Sequence, residues 1–148
     1  MTETIKIQKR SLLKRMLAAH ALGKYAKELV KASERSETAG DEILFHLPGV
    51  FCFSLCYRGE SVRLIKEANA FRVMKKSEKS EPLLCVKIED AAVLCDIYSH
   101  RATLQKAYAE GRVTFGGKIK YATLVMRVSA EGDKATLNKK QYQELYGE

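Results

Sequence analysis

The stretch LLCVKIEDAAVLCDIYSHRATLQKAYAEGRVTFGGKIKYATLVMRV, from Leu83 to Val128, contains most of the pattern that decides the fold. Its first residues, LLCVKI, form a short apolar run typical of a strand. Asp90 follows and is suited to cap a helix, and apolar residues then recur at helical spacing. Gly111 has the residue type that commonly ends a helix. The stretch therefore predicts a strand that leads directly into helices.

The second half of this stretch predicts another strand and one ambiguous element. Arg112 to Phe115 reads as a short strand, after which Gly116 and Gly117 make a turn. Residues 118–128 are mostly apolar, and their local pattern fits a helix and a strand equally well. Glu131 to Asp133 has turn composition. A short terminal helix is predicted after it, in LNKKQYQELYGE.

Upstream of Leu83, three short strands are predicted close together. Aromatic and apolar residues alternate with smaller ones between Phe51 and Tyr57, as expected for a strand with one aromatic face. Two further strands, Ser61 to Glu67 and Ala70 to Lys75, follow after joints of two or three residues. Joints this short favour antiparallel hairpins.

The N-terminal region predicts an amphipathic helix from Ser11, a plausible N-cap, to Ser33. The polar segment from Glu34 to Asp41 reads as a linker. We therefore divide the chain into a basic helix with its linker, residues 1–40, and a domain, residues 41–148. The fold class is α+β, with an additional N-terminal helix and helices expected on one side of a mostly antiparallel, five-stranded sheet.

Charge is concentrated in the N-terminal region. The chain of 148 residues carries a net charge of +8, and residues 1–40 contain nine Lys and Arg against four Glu. A basic segment is attracted to nucleic acids and to anionic membrane surfaces, although a solvated helix face has the same composition. The residues expected to dock on such a surface are Lys9, Arg10, Lys14, Arg15, Lys24, Lys27 and Lys31.

Motifs for catalysis or cofactor binding are not apparent. Gly111 and Gly116 have the spacing of a phosphate-binding loop, but Lys118 is displaced by one position and Ile119 replaces the hydroxyl residue that would hold magnesium. The four cysteines lack metal-ligand spacing, so we predict no metal site. They read as reduced core thiols, which predicts a reducing, cytoplasmic location. We also predict no cofactor. No nucleophile–base pair supports an enzyme.

Just over half of the chain, from about Gly49 to Val128, resembles the sterol carrier protein type 2 family. The resemblance lies in the order of features. PGVFCFSLCY looks like the family's first strand, SVRLIKE and AFRVMKK like the next two, and the opening stretch like its strand, acidic helix start, glycine-flanked short strand and apolar helix. Gly117 departs from the family, which often has Asp or Asn there, and this indicates a different local turn. No peroxisomal tripeptide ends the chain, which suggests a bacterial-type member.

The resemblance implies a sheet covered by helices that enclose an apolar tunnel for a fatty acyl, sterol-like or isoprenoid lipid. Such domains are carriers and not enzymes. The expected lining residues are apolar and come from the first strand, the helices after the fourth strand, and the segment after Phe115. They are Phe51, Phe53, Leu55, Val93, Leu94, Ile97, Leu104, Tyr108, Phe115, Ile119, Ala122, Leu124, Val125 and Met126.

Two functional hypotheses follow. The first is a non-catalytic carrier whose partner is a small hydrophobic ligand, since each buried acyl methylene contributes about 0.8 kcal/mol. The second is a basic module that binds an anionic membrane surface or, less plausibly, nucleic acid. The aromatic strand face argues against nucleic acid, because no Lys or Arg is interleaved with Phe51, Phe53 and Tyr57 on that face. The oligomeric state and the packing partner of the first helix stay open.

Overall fold

The computed structural model describes residues 2–36 and 42–147, with side chains described from Leu17 onward except Ala18. The described part contains five helices and five strands in the order α1, β1 to β4, α2, α3, β5, α4, α5. The helices are α1 (Thr2–Arg35), α2 (Ala91–Tyr98), α3 (Leu104–Ala109), α4 (Ala122–Thr136) and α5 (Lys139–Tyr146). The strands are β1 (Cys52–Tyr57), β2 (Glu60–Glu67), β3 (Ala70–Val73), β4 (Leu84–Ile88) and β5 (Val113–Gly117). Short 3₁₀ helices span Leu44–His46 and Ile119–Tyr121.

The strands form one sheet in the order β3-β2-β1-β4-β5. The hairpins β1–β2 and β2–β3 are antiparallel, as the short joints predicted, and β4–β5 is antiparallel as well. The central pair β1–β4 is parallel, with Phe53 opposite Leu84 and Leu55 opposite Val86. The predicted five-stranded, mostly antiparallel sheet is thus confirmed, with one parallel pairing at its centre.

The hydrophobic core lies between one face of the sheet and the layer of helices. Phe53, Leu55 and Val86 from the sheet are fully buried against Leu22 and Leu29 of α1. The second half of α1 therefore packs on its own domain, and the core extends across the predicted boundary at residue 40. The division of the chain at that point stays a prediction, since residues 37–41 of the linker lie outside the described residues.

Three local predictions were wrong. The first helix begins at Thr2, so Ser11 lies inside it and is not its N-cap. Gly116 and Gly117 belong to the end of β5, and the chain turns after them. The turn predicted at Glu131–Asp133 is part of α4, which continues to Thr136. Glycine suits this helix position because a Cβ on Gly132 would lie 3.2 Å from the Cβ of Ala32 in α1, a tight crossing of two helices.

The other face of the sheet is covered by the loop between β3 and β4. Arg63 of β2 donates hydrogen bonds from its guanidinium to the carbonyl oxygens of Ser80 (3.1 Å), Lys75 (3.3 Å) and Glu78 (2.8 Å). Cys52 lies beneath this loop, 2% exposed, and burial raises the pKa of its thiol. Cys95, in contrast, is exposed, so the prediction of four core thiols was wrong for that residue.

We expect Arg63→Met to release this loop and to make Cys52 reactive. The substitution removes three hydrogen bonds from a charged donor while it retains the aliphatic part of the side chain, so local opening becomes easier. Labelling of Cys52 by a maleimide, followed site by site with peptide mass spectrometry, should accelerate roughly tenfold or more. Arg127→Met, at an exposed position of α4, is the control. Equal labelling rates in the two variants would show that Arg63 does not hold the loop.

Candidate functional site

A groove of about 560 Å³ lies where α1, the β1–β2 turn and the start of α2 meet. Its volume is within the range of about 300–1,000 Å³ typical of small-molecule sites. It is open to solvent on one side and lined mostly by apolar atoms. The lining residues are Leu17, Ala21, Tyr57, Arg58, Glu89, Asp90, Ala91, Leu94 and Cys95. We call it the α1–α2 groove.

The floor of the α1–α2 groove reaches the hydrophobic core. Ala21, Tyr57 and Leu94 line it and are 5%, 8% and 1% exposed, and all three belong to the core. Leu17, in contrast, is 60% exposed at its margin. An apolar chain in this groove would therefore contact core residues at one side and could cover an exposed leucine at the other.

Charged residues form part of the rim of the α1–α2 groove. The Arg58 guanidinium lies over the Tyr57 ring, 5.6 Å from its centroid. Asp90 caps α2 by accepting a hydrogen bond from the Ala92 N–H, and Arg112 lies 3.2 Å away. The hydrogen bond from the Ala92 N–H lowers the pKa of Asp90 most, and the contact with Arg112 lowers it further. The predicted cap at Asp90 is thereby confirmed. The two oxygens of its carboxylate contact the Ala92 N–H and the Arg112 guanidinium.

A second groove, of about 500 Å³, lies between α1 and the edge strand β3. Val30, Phe71 and Val73 contribute apolar surface, and Lys27 lies at the rim. Arg72 also lines this groove, but its guanidinium is bound by the carboxylates of Glu67 and Glu78. The Arg72 contact lowers the pKa of Glu78 to about 2, so this pair stays ionised at neutral pH.

Most of the predicted lining residues lie in the core. Nine are at most 6% exposed, and three more are partly buried against the core. The nine are Phe51, Phe53, Leu55, Val93, Leu94, Ile97, Leu104, Ala122 and Val125, and the three are Phe115, Leu124 and Met126. The aromatic rings contact one another, with centroid separations of 5.9 Å for Phe51–Phe53 and 5.2 Å for Phe51–Tyr121. Aromatic side chains thus occupy the space between sheet and helices.

Two of the predicted lining residues lie at the surface instead. Tyr108 is 47% exposed and packs its ring on Phe115, 4.9 Å between centroids, at the outer side of α3. Ile119 is 62% exposed because it lies in the 3₁₀ helix before α4 and not on the buried face of α4. Helical spacing predicted a lining position for Tyr108, and the apolar segment after Phe115 predicted one for Ile119. Contact of either residue with a ligand stays a prediction.

The predicted docking residues are described only in part. Lys24, Lys27 and Lys31 are exposed on α1. The Lys31 ammonium lies 4.0 Å from the Glu28 carboxylate. The side chains of Lys9, Arg10, Lys14 and Arg15 lie outside the described residues.

A buried polar cluster joins four parts of the chain and was not recognised in the sequence. The Asp133 carboxylate accepts a hydrogen bond from the Tyr146 hydroxyl at 2.6 Å and lies 2.7 Å from His100 Nδ1. His100 Nε2 is 3.5 Å from Glu28 of α1. Burial raises the pKa of Asp133. Because the contacting partners are 13 to 72 positions apart in the chain, only the isolated His and the Gly-Asp pair inside a helical pattern could have signalled the cluster.

No helix in the described ranges is long and apolar enough to cross a membrane.

Comparison with known proteins identifies the architecture. No family model matches the chain, and no curated protein matches it in sequence. Solved structures do match. A ubiquinone synthesis protein named UbiJ-SCP2 superposes with a TM-score of 0.55 at 14% identity, covering 78% of this chain and 93% of that one. The chain has the fold of sterol carrier protein type 2 domains.

Two further structures share the sterol carrier fold. Sterol carrier protein domain 2 of Helicoverpa armigera superposes with a TM-score of 0.52 at 19% identity, covering 80% of this chain and 92% of that one. The protein TT1886 of Thermus thermophilus, described as possibly a sterol carrier protein, gives 0.51 at 13% identity, with coverages of 78% and 88%. The resemblance seen in the sequence order is thus confirmed as a shared fold.

Proposed function

We propose that this protein is a non-catalytic carrier of a hydrophobic lipid and that the lipid chain occupies the α1–α2 groove. The observation that supports this most strongly is the continuity of the groove with the core, through Ala21, Tyr57 and Leu94. The sterol carrier fold supports the same class of function, because proteins named as sterol carriers share it. The ligand class is fatty acyl, sterol-like or isoprenoid.

Binding in the groove is driven by removal of apolar surface from water. Each methylene that leaves water contributes about 0.8 kcal/mol, so a chain of several methylenes offsets the loss of freedom on association. Leu17, 60% exposed, loses contact with water when the groove is filled. Arg58 at the rim provides a cation for an acidic headgroup, although Glu89 and Asp90 lie at the same rim and favour neutral headgroups. Chain length is therefore expected to affect affinity more than headgroup charge.

A substitution that fills the groove should abolish binding. Ala91 lines the groove and is exposed, so Ala91→Trp adds bulk there without disturbing the core. We expect its dissociation constant for a fluorescent fatty acid to rise at least tenfold, about 1.4 kcal/mol. Ala92→Trp is the matched control, because Ala92 is the next residue, is equally exposed and does not line the groove. Unchanged affinity in Ala91→Trp would place the ligand elsewhere.

A further inference from the structure

Three exposed apolar residues lie at one end of the sheet. Phe45, Val50 and Ile119 are 72%, 70% and 62% exposed. Each lies in a loop or 3₁₀ segment and not in a helix or strand with a buried face. We call these residues the apolar tips.

Backbone contacts place the three apolar tips at the same end. Lys66, at the end of β2, donates its N–H to the carbonyl of Phe51 at 2.8 Å, beside Val50. The Lys66 ammonium donates to the Leu47 carbonyl at 3.1 Å, two residues after Phe45. The Lys118 N–H donates to the Leu83 carbonyl at 2.8 Å, and the Leu83 N–H donates to the Cys52 carbonyl. These two bonds fix the segment containing Ile119 next to the start of β1.

An aromatic contact closes this arrangement. The Tyr121 ring packs edge-on against Phe51, with 5.2 Å between centroids, so the 3₁₀ helix that carries Ile119 rests on the residue after Val50. The tips therefore project from a rigid base. Exposed apolar side chains next to lysines can bury their surface at the boundary between headgroups and acyl chains.

The charges around the apolar tips complement an anionic surface. Lys118 and Lys120 flank Ile119 on both sides and are exposed, and the Lys120 ammonium lies 5.1 Å from the centroid of the Tyr121 ring. Lys66 lies between the other two tips. The acidic residues of the neighbouring segments are Glu42, Glu67 and Glu81, and the charge of Glu67 is met by Arg72. Two cations are thus the chain neighbours of Ile119 and a third contacts the segment from Leu47 to Phe51, while Glu42 and Glu81 are the acids of the adjoining described segments that have no cation partner.

We infer that this end of the sheet docks on an anionic lipid bilayer, with Phe45, Val50 and Ile119 inserted among the headgroups and Lys118 and Lys120 against the lipid phosphates. Insertion of apolar side chains together with attraction of lysines to anionic lipid is the combination that holds peripheral proteins on membranes. This docking is a property of the surface and does not require that the α1–α2 groove hold a lipid.

The test is co-sedimentation of the full chain with vesicles at physiological salt, made either of phosphatidylcholine alone or of phosphatidylcholine with about a third of the anionic lipid phosphatidylglycerol, which gives the vesicle a negative surface potential. We expect binding to the anionic vesicles, at least tenfold weaker in the triple variant Phe45→Ser, Val50→Ser, Ile119→Ser. Lys118→Gln with Lys120→Gln should remove the preference for anionic vesicles. Val73→Ser is the matched control, because Val73 is 37% exposed on β3, outside both the apolar tips and the α1–α2 groove, and its binding should be unchanged.

Two outcomes would overturn the inference: no binding to anionic vesicles, and binding that the triple variant retains. If the triple variant still binds and binding is lost in Lys24→Gln, Lys27→Gln, Lys31→Gln, docking lies on α1. All substituted side chains are exposed, so far-UV circular dichroism and melting temperatures should match the wild type and exclude misfolding as the cause.

Discussion

Gly117→Ala should destabilise the protein by about 2–4 kcal/mol, whereas Gly116→Ala, one residue earlier, should change the free energy of unfolding by less than about 1 kcal/mol. Gly117 has a φ of +81°, in the left-handed region that alanine adopts only with strain. A Cβ there would lie 2.5 Å from the Leu83 carbonyl oxygen. That oxygen already accepts a hydrogen bond from the Lys118 N–H, so it cannot easily move away.

The neighbouring glycine provides the control. A Cβ on Gly116 would lie 3.5 Å from the flexible end of the Lys87 side chain and 3.9 Å from the Cys85 Cβ, which are ordinary contacts. Urea unfolding of the two variants measures the difference directly, and thermal melting should show Gly117→Ala roughly 6–12 °C below the wild type. Equal stability of the two variants would show that a Cβ at position 117 does not clash with the Leu83 carbonyl oxygen.

Asp133→Ala should destabilise the protein by about 2–4 kcal/mol, because two polar side chains packed on it lose their partner. The substitution removes the acceptor of the Tyr146 hydroxyl and leaves His100 without its partner at 2.7 Å. A buried polar group that loses its partner retains its full desolvation cost. Tyr146→Phe removes only one of these hydrogen bonds, so it should cost about 0.5–1.5 kcal/mol. Urea unfolding of both single variants and of the double variant measures the coupling.

The Asp133 carboxyl also predicts a pH dependence. Its pKa is raised in the folded protein, so the folded state holds this proton more tightly than the unfolded chain. The stability that comes from binding this proton is therefore fully present below about pH 4, the unfolded value, and is lost as pH rises through the raised pKa, in addition to the hydrogen bonds that the side chain makes. Asp133→Asn should lack this slope. A wild-type and Asn variant whose stabilities change in parallel with pH would contradict this assignment.

Periodicity in the sequence predicted the sheet well because its strands pair mostly with neighbours along the chain. Alternation in β1 separated Phe53 and Leu55, which are buried in the core, from Ser54 and Cys56 on the other face. The parallel pairing of β1 with β4 could not be read locally, because about 30 residues separate Leu55 from Val86.

The helical predictions failed where a tertiary contact overrides a local signal. Gly132 has turn propensity, yet in α4 its missing side chain permits the close crossing with Ala32. Asp133 next to it is held by His100 and Tyr146 inside the fold. The 118–128 segment stayed ambiguous in the sequence because its apolar residues are nearly contiguous, and the structure divides it into a 3₁₀ turn and the first part of α4.

The candidate site was predicted as a set of apolar residues, and its geometry was not. The sequence placed Leu94 among the lining residues, and it does lie in the floor of the α1–α2 groove. Leu17, Ala21 and Tyr57 were not assigned to a site, because they come from segments that meet only after α1 packs beside the β1–β2 turn. For the other predicted lining residues, contact with a ligand stays a prediction. Phe51 and Phe53 pack on each other, and Phe53 also packs on Phe71.

The central claim is that this chain carries a hydrophobic lipid, and native mass spectrometry of the protein with a long-chain fatty acid tests it most directly. We expect a saturable adduct of one fatty acid per chain in the wild type, retained in Ala92→Trp and strongly reduced in Ala91→Trp. A protein that stays unliganded at high micromolar fatty acid, with no lipid retained from its expression host, would contradict the carrier function.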